Sequence, residues 1–316
     1  MIRSAAPPPP AHRPPRRILP RVSAPRVACL VPSATDLAAS LGLHVVGVSH
    51  ECDHPLARGL PILTRSVLPP MHPGGPGPAE IDRQVSDAAA AGDPLYIVDR
   101  DALAALHPDI VVSQSICDVC AARTDACDLP PGARQLELAA TDLAGLEHDL
   151  RSLAAAAGRR ERGEARITEL HAHLAALAPP SRPPRVLALE WGDPPFLGGH
   201  WVPELVVRAG GEHLLAGPGE RSRRASWPEI AAADPDILVF MPCGYTLADA
   251  AHEAEQLRRH PALRALRCVR DGHLWATAAS ALFSRCTPQS VIAGVTVLHT
   301  IFRGDPPDPG LARRIA

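Results

Sequence analysis

Short β-branched apolar runs alternate along this chain with longer alanine- and leucine-rich stretches of helical spacing. That alternation predicts a largely parallel sheet covered by helices. In the first half the pattern predicts strands over 26–31, 45–49, 95–98 and 109–114. Helices are expected over 34–41, 80–91 and 100–106, the first of them capped by Ser33. A Pro/Gly-rich loop from Pro69 to Pro78 interrupts the series.

From Asp142 to Leu177 runs one long, charged, alanine-rich amphipathic stretch without proline. Its length is that of a connecting spine, with Gly158 as the place for a kink or a division. Pro179-Pro180 and Pro183-Pro184 stop it, and the strand–helix series then restarts. Strands are expected over 185–189, 237–241 and 274–276, with helices over 203–209, 247–259 and 288–302. This second half echoes the first. Pro108-Asp109-Ile110-Val111-Val112 leads to Cys117 as Pro235-Asp236-Ile237-Leu238-Val239 leads to Cys243. Arg26-Val27 opens one half as Arg185-Val186 opens the other. The fold class is therefore α/β, with two similar Rossmann-like lobes over 26–141 and 181–303. A helix over 142–180 joins them, and 1–25 and 304–316 are expected as tails.

Composition narrows the chemistry. At 316 residues the chain can build two modest domains, each with its own core. The net charge of -2 exerts no long-range pull toward nucleic acid or an anionic membrane. The chain has no lysine and no asparagine, which excludes a P-loop lysine, a Schiff-base lysine and a Cys-His-Asn triad. No apolar run approaches the ~20 residues that span a bilayer, so no membrane insertion is expected. The Pro/Arg-rich residues 1–24 contain a twin arginine, Arg16-Arg17, and Arg26–Cys29 has the outline of a lipoprotein cleavage box. Neither stands beside a hydrophobic stretch, so the segment reads as a disordered tail. The expectation is a cytoplasmic protein whose eight cysteines stay mostly reduced.

Candidate chemistry collects just after the expected strands. His50-Glu51-Cys52-Asp53 follows the second, and Cys117-Asp118-Val119-Cys120 follows the one ending near Gln114. In the other half Glu190-Trp191 and Pro242-Cys243-Gly244 hold the equivalent places. Ligands of parallel α/β sheets bind at the carboxyl ends of the strands, so these four segments are expected to face one cleft. Trp191 and Trp201 stand out in a chain poor in aromatics, and either could stack on a flat ligand. His200, beside Trp201, could donate to a ligand or simply occupy a turn. Arg285 could pair with an amide or phosphate of the ligand, or form a surface salt bridge.

The cysteines allow two readings. Cys52, Cys117, Cys120 and Cys243, with or without His50, could hold Zn or another thiophilic metal. Alternatively they are small unreactive thiols, the reading preferred for Cys29, Cys127 and Cys268. A thiol-dependent redox or corrinoid-processing enzyme, with Glu51 or Glu190 as acid or base, is a further alternative.

Several of these segments, in this order, resemble the cobalamin-binding, substrate-binding-protein-like family. They are Val31-Pro32-Ser33-Ala34-Thr35-Asp36, Gly47–Asp53, the Cys117–Cys120 pair, Glu190-Trp191, Trp201-Val202-Pro203-Glu204-Leu205, Ser226-Trp227 and Met241-Pro242-Cys243-Gly244. That family sits among the helical-backbone periplasmic binding proteins for vitamin B12 and iron-siderophores. The resemblance runs from about Arg26 to Phe302. It implies two lobes on one backbone helix with little hinge movement, and a small-molecule ligand, plausibly a corrinoid, held without chemistry. On that reading His50, Glu51, Glu190, Trp191, His200, Trp201 and Arg285 line the site. An ABC permease is the partner of the exported members, whereas the His-Glu-Cys and CxxC motifs mark a subfamily that looks cytosolic. His200 stands where asparagine is usual and Cys286 where glycine is usual, which would put two further donors near the cleft.

Overall fold

The computed structural model describes residues 24–68, 76–116 and 129–315. The first lobe opens with β1 (Arg26–Cys29), α1 (Pro32–Ser40) and β2 (His44–Gly47). There follow β3 (Thr64–Ser66), α2 (Pro78–Ala91), β4 (Tyr96–Val98), α3 (Arg100–Ala105), β5 (Ile110–Gln114) and β6 (Arg134–Leu138). Its main sheet is parallel, in the order β2-β1-β5-β6, while β3 and β4 form a separate antiparallel pair. β1 and β5 are buried almost throughout, as a parallel strand covered on both faces must be. The helix expected to be capped by Ser33 starts two residues earlier than expected. Val31 is its cap residue and Pro32 its first position, where a missing N–H costs nothing. β6 was not anticipated, although Leu136 and Leu138 are buried and Glu137 between them is exposed.

The expected single spine is two helices, α4 (Leu143–Ala156) and α5 (Arg160–Ala176). Gly158 lies between them at φ +66°, a left-handed conformation that lets the chain reverse. The two helices then run back along one another. Glu147 accepts from His171 at 2.6 Å, and Arg151 meets Glu164 at 2.9 Å. A Cβ placed on Gly163 would lie 2.7 Å from that of Ala154, so the backbones touch there.

The second lobe begins with β7 (Arg185–Gly192), β8 (Pro195–Leu197), α6 (Val202–Arg208), β9 (Glu212–His213) and β10 (Arg223–Arg224). It continues with α7 (Trp227–Ala233), β11 (Ile237–Phe240), α8 (Leu247–Leu257), α9 (Pro261–Ala265) and α10 (Arg267–Arg270). It closes with β12 (Leu274–Thr277), α11 (Ala279–Leu282), α12 (Pro288–Phe302) and β13 (Ala312–Ile315). The segment expected as a C-terminal tail therefore carries β13, an antiparallel edge strand on β12 that buries Ala312 and Ile315. The sheet order is β10-β8-β7-β11-β12-β13, with β9 beside the start of β7.

The internal echo in the sequence has a structural counterpart. β1 lies between β2 and β5 as β7 lies between β9 and β11. Asp109 accepts from the Arg26 backbone N–H at 2.7 Å, and Asp236 accepts from that of Arg185 at 3.0 Å. Each Pro-Asp motif thus fixes the start of the neighbouring strand.

The core does not divide lobe by lobe. In β7, Val186 and Ala188 join a cluster that continues through α4, α5 and α12 into the first lobe, while Leu187 and Leu189 face a second cluster under α7–α10. Ile237 and Val239 against Leu238 and Phe240 repeat the split in β11, the two-residue period of a strand.

Gly163→Leu should drive a side chain into α4 and lower stability by about 1–3 kcal/mol in urea denaturation. An unchanged midpoint would mean that the two helices do not depend on this contact.

Candidate functional site

The carboxyl ends of the strands in the two lobes face one another, and Arg285 marks the junction. It follows α11 in the second lobe and is only 10% exposed. Its Nη1 donates to Asp36 in α1 at 3.4 Å and its Nη2 to Asp53 at 2.5 Å. Asp36 is nearly as buried, at 13%, whereas Asp53 is 58% exposed. Burial pushes the Asp36 carboxyl above its usual range, and Arg285 only partly offsets it. Burial also opposes the Arg285 charge, but the two carboxylates outweigh it and raise its pKa. The Arg285–Asp36 pair is a buried inter-lobe ion pair rather than a surface salt bridge. Asp36 and Asp53 were not singled out from the sequence, although both lie in quoted motifs next to chemically unusual neighbours.

On the first-lobe side His50 follows β2. Its Nδ1 lies 2.7 Å from Thr64 Oγ1, which also accepts the His50 backbone N–H at 3.1 Å. Its Nε2 is buried, 3.9 Å from Glu51 Oε1, without a hydrogen-bond partner among the described residues. Tyr96 donates to Glu51 at 3.1 Å, and its ring centroid is 5.4 Å from that of His50. Thr64 and Tyr96 carry no local sequence signal. They reach His50 and Glu51 because β3 and β4 pair beside the end of β2.

On the second-lobe side Glu190 and Trp191 are half-buried at the end of β7. Trp191 packs edge-on against Tyr245, with centroids 5.7 Å apart, and its Nε1–H donates to the Pro78 carbonyl of α2 at 3.2 Å. The Cys243–Gly244 turn is held beside Arg285 by the Gly244 N–H, which donates to Ser284 at 3.0 Å.

Other expectations require correction. Trp201 offers no face to a ligand: it is buried in the core and its Nε1–H donates to the Phe283 carbonyl at 2.9 Å. His200 has φ +53°, a conformation that asparagine and histidine both tolerate, so the backbone explains the residue type there. Its N–H donates to the Glu220 carbonyl at 2.5 Å, and burial, followed by Arg221, lowers its ring pKa. Cys286 does not face the cleft; it is buried in the core, which pushes its thiol well above the ordinary range. Burial likewise raises Cys29 and Cys268 to about 12. Cys117 and Cys120 lie outside the described residues. Cys52 is half-buried and Cys243 exposed, both as free thiols. Among the described residues no three His, Cys, Asp or Glu side chains are grouped to hold a metal ion. Two cavities, of about 450 and 600 Å³, lie away from this junction. One is between α4, α5 and α6, and the other is at the opposite end of the second-lobe strands.

A family model described as periplasmic binding protein matches residues 27–281. Comparison with curated protein sequences gave no match. Among solved structures, an ABC transporter substrate-binding protein from Listeria monocytogenes EGD-e superposes with TM-score 0.65 at 15% identity, over 89% of this chain and 100% of that one. A periplasmic heme binding protein from Pseudomonas aeruginosa gives 0.62 at 21% identity, over 93% and 98%. The periplasmic vitamin B12 binding protein BtuF of Vibrio cholerae gives 0.56 at 18%, over 89% and 97%. At these identities the likeness establishes the fold.

Arg285→Met should cost about 3–5 kcal/mol near neutral pH, because it leaves the Asp36 carboxylate buried without its cation. The share that comes from the exposed Asp53 is small. Asp36 already has a folded-state pKa above its unfolded value, so its favourable contribution is present at low pH and lost as pH rises through the folded pKa. Removing Arg285 raises that pKa further and enlarges the loss. The difference between variant and parent in urea denaturation should therefore shrink from neutral pH to about pH 4. A difference independent of pH would mean that Arg285 acts through packing alone.

Proposed function

The chain belongs to the periplasmic binding protein family, and we propose that it holds a corrinoid or a related metal-centred tetrapyrrole between its lobes without reacting with it. As a member of that family it is a solute-binding protein. The observation that carries the finer reading is the pairing of groups across the junction. His50, whose buried Nε2 lies beside Glu51 with no hydrogen-bond partner among the described residues, stands on the first-lobe side of the junction, and Glu190 and the half-buried Trp191 stand on the second-lobe side. With His50 Nδ1 engaged by Thr64, the buried Nε2 is the ring nitrogen left to meet a metal centre, once ligand entry uncovers it. The indole of Trp191 suits contact with a flat macrocycle. Asp36, Asp53 and Glu51 outnumber the Arg285 guanidinium, which favours a ligand whose centre is positive. The ligands for which two fold relatives are named, heme and vitamin B12, are of this class.

Titration of the purified, reduced protein with hydroxocobalamin should give saturable one-to-one binding, read by calorimetry and by a shift of the corrin absorption bands. Trp191→Ala should weaken it roughly tenfold, and His50→Ala should abolish the band shift. Binding of haemin in place of hydroxocobalamin would move the assignment to haem, and binding of neither would overturn the tetrapyrrole class.

We further place the protein in the cytoplasm. The described cysteines, Cys29, Cys52, Cys243, Cys268 and Cys286, are all free, as suits a reducing compartment. Fractionation of the native host should recover the protein with cytoplasmic markers; recovery in an extracytoplasmic fraction would overturn this placement and make an ABC permease the expected partner.

A further inference from the structure

We infer that α2 is a lid over the cleft, latched to the second lobe by Arg224 and Trp191, and that the latch controls how fast ligand leaves. The inference rests on the cleft being the binding site, as proposed above.

α2 is a 14-residue helix with a single buried side chain, Ile81. A helix of this length in a globular protein ordinarily buries a whole apolar stripe against its own domain. Here the chain leaves the first lobe along β3 and returns along β4. The pairs Thr64–Val98, Arg65–Ile97 and Ser66–Tyr96 close the base of the excursion into a two-stranded stalk. That stalk stands at the first rim of the cleft, since Thr64 is bonded to His50 and Tyr96 to Glu51.

The helix is held at the opposite rim. Arg224 Nη2 donates to both carboxylate oxygens of Asp82, at 2.8 and 2.7 Å, and to Ser86 Oγ at 2.9 Å. Asp82 and Ser86 are one helical turn apart and so present one face to the guanidinium. Arg224 lies in β10, which pairs with β8, which in turn pairs with the end of β7 that carries Trp191. Trp191 adds its own bond to the Pro78 carbonyl at the first turn of α2. The stalk is therefore bonded to His50 and Glu51 and the start of α2 to Trp191, so the two elements together link the groups proposed to meet the ligand.

The strength of these contacts suits a latch. Arg224 is 53% exposed and Asp82 21% exposed, so solvent screens the pair and its loss disturbs little else. A segment held mainly by such contacts opens at far lower free energy than the core beneath it. Lids that sequester a ligand are drawn from segments of that kind.

Amide hydrogen exchange of the ligand-free protein tests the latch directly. In Arg224→Ala the α2 amides should exchange roughly 3–10-fold faster than in the parent while the central strands stay unchanged. The double exchange Asp82→Arg with Arg224→Asp should restore protection. Stopped-flow release of hydroxocobalamin, chased with excess apoprotein, should quicken by a similar factor in Arg224→Ala and recover in the charge-swapped variant. Unchanged exchange in α2 would overturn the latch, and faster exchange with unaltered release would overturn the lid. A parent protein that bound no corrinoid would count against the proposed ligand, whereas the exchange measurement reads the latch without any ligand.

Discussion

The arrangement of the two lobes depends on a guanidinium that has been taken out of water. Arg285 must be paired where it lies, because an unpaired buried charge is strongly unfavourable. Both of its partners are on the other lobe, 249 and 232 residues away in sequence. Satisfying it brings α1 and the His50–Asp53 segment against the end of the second-lobe sheet. The carboxyl ends of the strands then have to face each other across a cleft. A pair of this kind adds little net stability over apolar packing of the same volume; what it supplies here is registration of one lobe on the other.

Behind that junction the packing is continuous. One apolar cluster passes from the first-lobe sheet through α4, α5 and α12 to the inner face of β7 and β11. Close-packed interiors resist continuous deformation, so a large swing of one lobe against the other would break this cluster. The internal echo reinforces the point, since each half uses the same Pro-Asp anchor to fix its first strand. Freedom of movement is left to what stands outside the cluster, above all α2 with its one buried side chain.

The corrected residues show where reasoning from residue type fails. Trp201 was attractive as a stacking surface because aromatics are rare, yet scarcity says nothing about direction. Its indole fills the core and its N–H meets a carbonyl 82 residues along the chain. At His200 the left-handed backbone, which asparagine and histidine both tolerate, is by itself a sufficient reason for the residue type. Cys286 looked like an added soft ligand, yet desolvation keeps its thiol protonated and inert.

The sequence by itself determined the α/β class, the order of most elements and the internal duplication, and it marked Gly158 as the place for a kink or a division; that the spine divides there was decided by the tertiary structure. These are local properties: strands buried on both faces read as apolar runs, helices as a 3.6-residue period, and reversals as glycine or proline. It also marked the strand ends where His50, Glu51, Glu190 and Trp191 stand, and Arg285 beyond the last strand then expected. The strands β3, β6, β8–β10 and β13 escaped it because they are short pieces, most of them at sheet edges, whose partners, not their composition, make them strands. Only the tertiary structure decided which marked residues share a junction: Arg285 with Asp36 and Asp53, and Trp191 with Pro78. The physical reason is that a charge or an indole N–H carries no local record of its distant partner. That partner is fixed when the two sheets pack and each buried polar group has to be satisfied.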